Sequence, residues 1–290
     1  MTAFKHVLVL IEDKHQDMVV LNRALMCLGS SLSKLTVYRQ SIIHKPVNAE
    51  KERQWQQQET SAINAHLSTC NYSFELNIVF NSSGFDVKEF SSFLKVCQPD
   101  VIFKFNTAQQ FLQGMFRDKA ERYFVSDCVY PVWIVKPRTW DEQVEVLCCL
   151  DIDDKSEINH KLNSNVLATS DQLARLLGGQ LHVIDCFFGE ICSMSFEVES
   201  SGHFKRTTSV MEQHKQLIQT YISGLTLTEQ SLHVVSGTPD FAIPDTADSL
   251  QAELVVIGNN ADRGIMDRLF GDTAVNLVNN MSCDVLVLKP

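Results

Sequence analysis

The residues best suited to chemistry lie in the second half of the chain. Asp151 closes one apolar run, and a later one, Val255-Val256-Ile257, leads into Gly258-Asn259-Asn260-Ala261-Asp262-Arg263-Gly264-Ile265-Met266-Asp267-Arg268-Leu269-Phe270-Gly271-Asp272-Thr273. Glycines let a backbone approach a ligand closely, and the free amides opening a helix after Gly271 would receive an anion. The same spacing also suits three turn glycines with no ligand, and Asp272 serves equally well as a helix cap. Independent enzyme chemistry is not expected, because the chain has no G-x-S-x-G elbow, no P-loop and no H-E-x-x-H. The adjacent acids Asp153-Asp154 suit a solvated or capping role at a strand end. The nine cysteines include no C-x-x-C pair, and several fall inside apolar runs, where a thiol behaves as a small hydrophobe. A metal site from Cys186, Cys192, His203 and His214 would fit no standard zinc spacing, so no metal is expected.

The elements that must position these residues emerge when the chain is compared with itself. Val132-Trp133-Ile134-Val135-Lys136-Pro137 matches Val285-Leu286-Val287-Leu288-Lys289-Pro290, 153 residues on. Upstream, Asp100-Val101-Ile102-Phe103 answers Leu254-Val255-Val256-Ile257 at 154, and Val79-Phe80-Asn81-Ser82-Ser83-Gly84 answers Leu232-His233-Val234-Val235-Ser236-Gly237 at 153. Each half opens on an apolar strand ending in acid, with the offset there shrunk to 139, so the first half holds extra residues in its middle. A tandem duplication accounts for this order, with domains at 1–138 and 143–290 joined by a short polar segment. Nearly continuous apolar runs at 6–11, 35–39, 74–80, 101–105 and 132–136, then at 144–150, 180–187, 232–236, 254–258 and 284–289, predict parallel strands buried on both faces. Helical patterns fall between them at 18–28, 50–67 and 86–96, and at 159–177, 208–223, 239–252 and 273–281. The expected architecture is therefore α/β, two doubly wound five-stranded parallel-sheet domains in tandem.

Composition removes several functions. With 25 basic against 35 acidic residues the formal charge is -10, which repels a phosphate backbone, so nucleic-acid binding is disfavoured. No apolar run approaches the length that spans a bilayer, and the opening MTAFKHVLVLIEDK reaches charge too soon for a signal peptide; a first strand is expected there, and no membrane partner.

The 258–273 loop resembles the universal stress protein signature, Gly-x2-Gly-x9-Gly followed by Ser or Thr. The match extends to Gly237-Thr238-Pro239-Asp240, to Ile243-Pro244-Asp245, and to Cys283-Asp284-Val285-Leu286-Val287-Leu288-Lys289-Pro290, with Pro131-Val132-Trp133-Ile134-Val135-Lys136 closing the first half. This resemblance to tandem members of the family implies a flavodoxin-like five-stranded fold, a cytoplasmic location, dimerisation through the last strand, and an adenine nucleotide, ATP with Mg²⁺, as cofactor. It implies a site built from Asp151, Val183, Gly258, Ala261, Gly264, Gly271, Asp272 and Thr273. Gly258 and Gly271 match the first and third signature glycines, Ala261 replaces the second, and Asp272 stands where the phosphate-side hydroxyl would be. A methyl group narrows the phosphate path, and a carboxylate beside a polyphosphate costs Coulomb energy. In the first half Lys104 takes the place of a signature glycine and Glu12 that of the strand-one acid. The expectation is a non-enzymatic stress-response protein that binds a small ligand in its second domain or acts as a scaffold, the alternative being nucleotide binding with slow ATP hydrolysis. The terminal strands offer an edge for a homodimer or an internal pseudo-dimer. The aromatic stretch 187–196 would form either a lid over an apolar pocket or a packing surface.

Overall fold

The computed structural model describes residues 4–12, 17–28, 32–41, 48–71, 73–106, 122–187, 196–198, 204–206, 210–225, 227–259 and 273–290. The chain divides into two compact units, Met1–Pro137 and Arg138–Pro290. The first runs β1 (His6–Ile11), α1 (Asp17–Leu28), β2 (Lys34–Gln40), α2 (Ala49–Leu67), β3 (Glu75–Asn81), α3 (Val87–Cys97), β4 (Val101–Phe105), a π-helical turn at Tyr123–Asp127, and β5 (Val132–Val135). The second runs β6 (Glu145–Leu150), α4 (Glu157–Leu176), β7 (Gln180–Phe187), β8 (Phe196–Val198), β9 (Phe204–Arg206), α5 (Val210–Ile222), β10 (Leu232–Ser236), α6 (Pro239–Leu250), β11 (Leu254–Gly258), α7 (Thr273–Asn280) and β12 (Asp284–Leu288).

Within the first unit the strands lie β3-β2-β1-β4-β5, and within the second β10-β7-β6-β11-β12, every pairing parallel. Both are doubly wound five-stranded sheets, as the alternating pattern predicts. Counted along each unit the order is 3-2-1-4-5, so the winding reverses between β1 and β4, and between β6 and β11. Ligands of such sheets sit beyond the carboxyl ends of the strands at that switch point.

Burial on both faces explains why these strands carry little alternation: all of Val146, Leu147, Cys148, Cys149 and Leu150 are buried. Adjacent Cys148 and Cys149 point to opposite sides, the first to Ser170 on α4 and the second to Cys186 and Cys283, and burial lifts the Cys148 thiol to about 12. The described cysteines are all free thiols. Helix α4 starts at Ser156, whose side chain accepts from the Asn159 amide, and buries Leu162, Val166 and Leu173. It ends ahead of Gly178 at φ 66 and Gly179, where a Cβ would lie 2.1 Å from the Val144 carbonyl oxygen, so the return into β7 requires glycine. In the first unit, Trp133 stacks on Phe103 with ring centroids 4.8 Å apart.

The structure adds to the sequence expectation and corrects it. The β8–β9 antiparallel hairpin, with Phe196 opposite Arg206, and the π-helical turn carry no periodic signal of their own. Phe187 is buried, with its ring centroid 5.2 Å from that of His214, which makes it core rather than lid; the rest of that stretch up to Ser195 lies outside the described residues. The internal repeat also shifts by one residue at its fourth strand. Ile102 pairs with Val132 as Val255 pairs with Val285, and the Asn106 amide bonds the Val135 carbonyl as that of Asn259 bonds the Leu288 carbonyl. Phe105, not Lys104, therefore occupies the place of Gly258, because an apolar run carries no phase and the hydrogen-bond register does.

Candidate functional site

The carboxyl end of β6 delivers Asp151 to the switch point of the second unit, where the chain turns through Ile152, Asp153 and Asp154 into α4. The turn is held by its own side chains. The Asp151 amide donates to Asn163 Oδ1 at 3.2 Å, the Ile152 amide to Asp185 Oδ1 at 3.4 Å, and the Asp154 amide to Asp151 Oδ1 at 3.3 Å. The Ser156 amide donates to Asp154 Oδ1 at 2.8 Å. From α4, the amide groups of Asn159 and Asn163 both donate to the Asp151 carbonyl, at 2.8 and 2.7 Å, and Asn159 also reaches the Asp154 carbonyl at 2.8 Å. Four of the backbone amides at this turn, those of Asp151, Ile152, Asp154 and Ser156, are thus already bonded to acceptors within the protein. The turn gathers the carboxylates of Asp151, Asp153 and Asp154 beside the exposed Lys155.

Beside this turn stands a group that the sequence reading did not assemble. Asp185, fully buried near the end of β7, meets His214 of α5, with Oδ2 2.5 Å from Nδ1, while His214 Nε2 lies 3.4 Å from Asp153 Oδ1. Burial pushes the Asp185 carboxyl up to about 6, an effect only partly offset by the hydrogen bond and charge of His214. The imidazole joins two carboxylates and ties α5 to the β6–α4 turn. His214 was weighed in the sequence as a zinc ligand with Cys186, but strand alternation points Cys186 to the face opposite Asp185. The other two members of that set, Cys192 and His203, lie outside the described residues. A buried Asp inside an apolar strand, Val183-Ile184-Asp185-Cys186-Phe187, is the signal that would have found this cluster, since such acids require a partner.

The remaining candidate residues divide by position. Gly258 ends β11, beside β6. A Cβ built there would lie 2.8 Å from Leu162 Cγ and 3.2 Å from Val166 Cγ2, so this glycine admits close packing of α4 against the sheet. Val183 is wholly buried in mid-strand, with Cys148 and Leu232 as its partners on the neighbouring strands. Thr273 opens α7. Ala261, Gly264, Gly271 and Asp272 lie outside the described residues.

At the corresponding edge of the first unit the chemistry is changed. Buried Phe105 takes the glycine position. Buried Lys104 places Nζ 3.6 Å from Glu12 Oε2, the strand-one acid, donates to the Phe105 carbonyl at 3.1 Å, and lies 5.7 Å from the centre of the Phe124 ring. One strand further out, Arg39 holds the register position that Asp185 holds in the second unit, opposite Ile11 as Asp185 is opposite Leu150. Its Nε bonds Glu59 of α2 at 2.9 Å. Both units therefore carry a buried charge pair between second strand and following helix, with the signs exchanged.

The second unit is thus a doubly wound α/β domain of strand order 3-2-1-4-5 with acidic residues at its switch point. Residues 153–289 match the universal stress protein family. It is 24% identical over 192 residues to "Universal stress protein E" of Escherichia coli K12, a match covering 66% of this chain and 61% of that protein, so the chain spans about three fifths of that relative's length. It is 22% identical to the "Universal stress protein E homolog" of Haemophilus influenzae, over 99% of this chain and 98% of that one. A functionally unassigned protein of Pseudomonas aeruginosa PAO1, of known crystal structure, superposes with a TM-score of 0.72 over 99% of this chain and 93% of its own, at 21% identity.

Proposed function

We infer that the chain is a non-enzymatic binding protein of the universal stress protein family, in which the second unit receives a small, partly apolar ligand beyond β6 and β11 while the first serves a structural role. One observation carries this: in the second unit the amides of the β6–α4 turn are taken up by Asp151, Asp154, Asp185 and Asn163, leaving an edge of acceptors, while in the first the equivalent acid is engaged by Lys104. An acceptor edge suits hydroxyl or ammonium groups. Among the described residues, a triphosphate would bring its charge to Asp151 and Asp153 where the amides of Asp151, Ile152, Asp154 and Ser156 are already bonded.

Native mass spectrometry of protein taken from stressed cells, followed by a thermal-shift panel of metabolites, tests the reading. A co-purifying molecule that raises the melting temperature, and whose effect Asp151→Ala removes, is the expected outcome. Isothermal titration with ATP and Mg²⁺ should give no heat at millimolar nucleotide. Submillimolar ATP binding that Asp151→Ala abolishes would replace this reading with the nucleotide-binding one.

A further inference from the structure

At the opposite end of the same strands lies a second cluster of titratable side chains. Glu145 opens β6, His182 stands near the start of β7, and His233 stands on β10, the outer strand of that sheet. His182 Nε2 is 2.9 Å from Glu145 Oε2, and its Nδ1 is 3.1 Å from His233 Nε2. Gln143 secures the carboxylate by donating to Glu145 Oε1 at 3.2 Å. His182 is buried and His233 half-buried.

The protonation pattern follows from the carboxylate. Ionised Glu145 can only accept, so His182 Nε2 carries the proton and Nδ1 presents a lone pair towards His233. A carboxylate that fixes an imidazole tautomer in this way is the usual outer partner of a metal-bound histidine. The two facing nitrogens thus share one proton between two lone-pair sites. Their 3.1 Å separation is close to the roughly 3.3 Å that two imidazoles adopt on one tetrahedral ion with metal–nitrogen bonds of about 2.05 Å. Among the described residues no group of three or more His, Cys, Asp and Glu gathers to hold a metal, so the remaining positions fall to water.

We propose that His182 Nδ1 and His233 Nε2 form a two-imidazole site for a divalent ion of the zinc and nickel class, with Glu145 holding His182 in the ligating tautomer. Binding moves the proton that lies between the two nitrogens to His233 Nδ1, so that each ring keeps one N–H and no net proton is released. Imidazole nitrogen favours such borderline ions over Mg²⁺ and Ca²⁺, which take oxygen.

The test uses the full chain, reduced and metal-free, with ¹⁵N-labelled histidine. One equivalent of Zn²⁺ should move the NMR signals of His182 Nδ1 and His233 Nε2 together and leave His66, whose ring bonds Asn22 on the first unit, in place. Ni²⁺ titration calorimetry should show affinity falling at least 10-fold in His233→Ala, and about 10- to 100-fold in Glu145→Gln if the outer partner acts as in other sites. His233 is the safer variant because its side chain is only half-buried, and unchanged circular dichroism establishes that it folds. If Zn²⁺ leaves both nitrogens unmoved, or if His233→Ala binds Ni²⁺ as tightly as the parent, the pair is an ordinary hydrogen-bonded core contact and the proposal fails. Because the cluster sits at the amino ends of the strands, this outcome is independent of the ligand edge at Asp151.

Discussion

At Gly258 the atoms nearest a built Cβ are side-chain carbons of α4, and that decides how the position responds to change. Gly258→Ala places a methyl 2.8 Å from Leu162 Cγ and 2.9 Å from its Cδ2, and should destabilise the chain by about 1–3 kcal/mol in urea unfolding, as overpacking does. Leu162→Ala in the same chain should bring the cost of the alanine close to zero, a coupling that a double-mutant cycle measures. Asp185 makes the second prediction at this scale. Its folded-state pKa, about 6, is raised above the unfolded value near 3.9, so the stability it contributes is fully present below about pH 3.9 and is lost as pH rises through about 6. The melting temperature of Asp185→Asn relative to the parent should therefore rise between pH 4 and pH 7, and a flat difference across that range would remove the buried carboxyl from the account. Gly258 was legible from the spacing of the loop, although its packing role was not. Asp185 was present in the sequence as an acid within an apolar strand, but its partner lies in another helix, 29 residues along.

The strands of the two parallel sheets and the helices between them were legible nearly to the residue, unlike β8, β9 and the π-helical turn, because burial on both faces leaves runs of apolar residues and the connecting helices keep an apolar stripe. The phase of β4 was not, since one hydrophobic residue matches another at either offset, and only its hydrogen bonds to β5 place Phe105 opposite Val135. That register sets Lys104 toward Glu12. Lys104→Met alone should leave the Glu12 carboxylate largely buried without its cation and cost about 3 kcal/mol of unfolding free energy; Lys104→Met with Glu12→Gln should recover most of it. The central strand of the second unit makes a further prediction. Cys148 and Cys149, buried on opposite faces with raised pKa values, should stay unmodified by a thiol reagent at pH 8 until denaturant opens the sheet, as counted by peptide mass spectrometry. Early labelling at either residue would show that β6 is accessible in the native state.

For the whole chain, the charge of -10 predicts no retention on heparin at about 0.1 M salt, where screening still leaves like charges repelling over about 10 Å. No helix among the described residues is long and apolar enough to cross a membrane. Duplication is the other property of the molecule as a whole, and here sequence and structure contribute different things. The sequence by itself determined that the chain is two copies of one α/β unit, since strand and helix patterns are local and survive as repeated strings. Only the tertiary structure decided which side chains each copy brings together. The charge pairs Arg39–Glu59 and Asp185–His214, the Lys104–Glu12 contact, and the Glu145–His182–His233 row all join residues on different elements. Such contacts depend on register and on which face a side chain takes, and the buried cost of an unpaired charge selects them only after the sheet has formed.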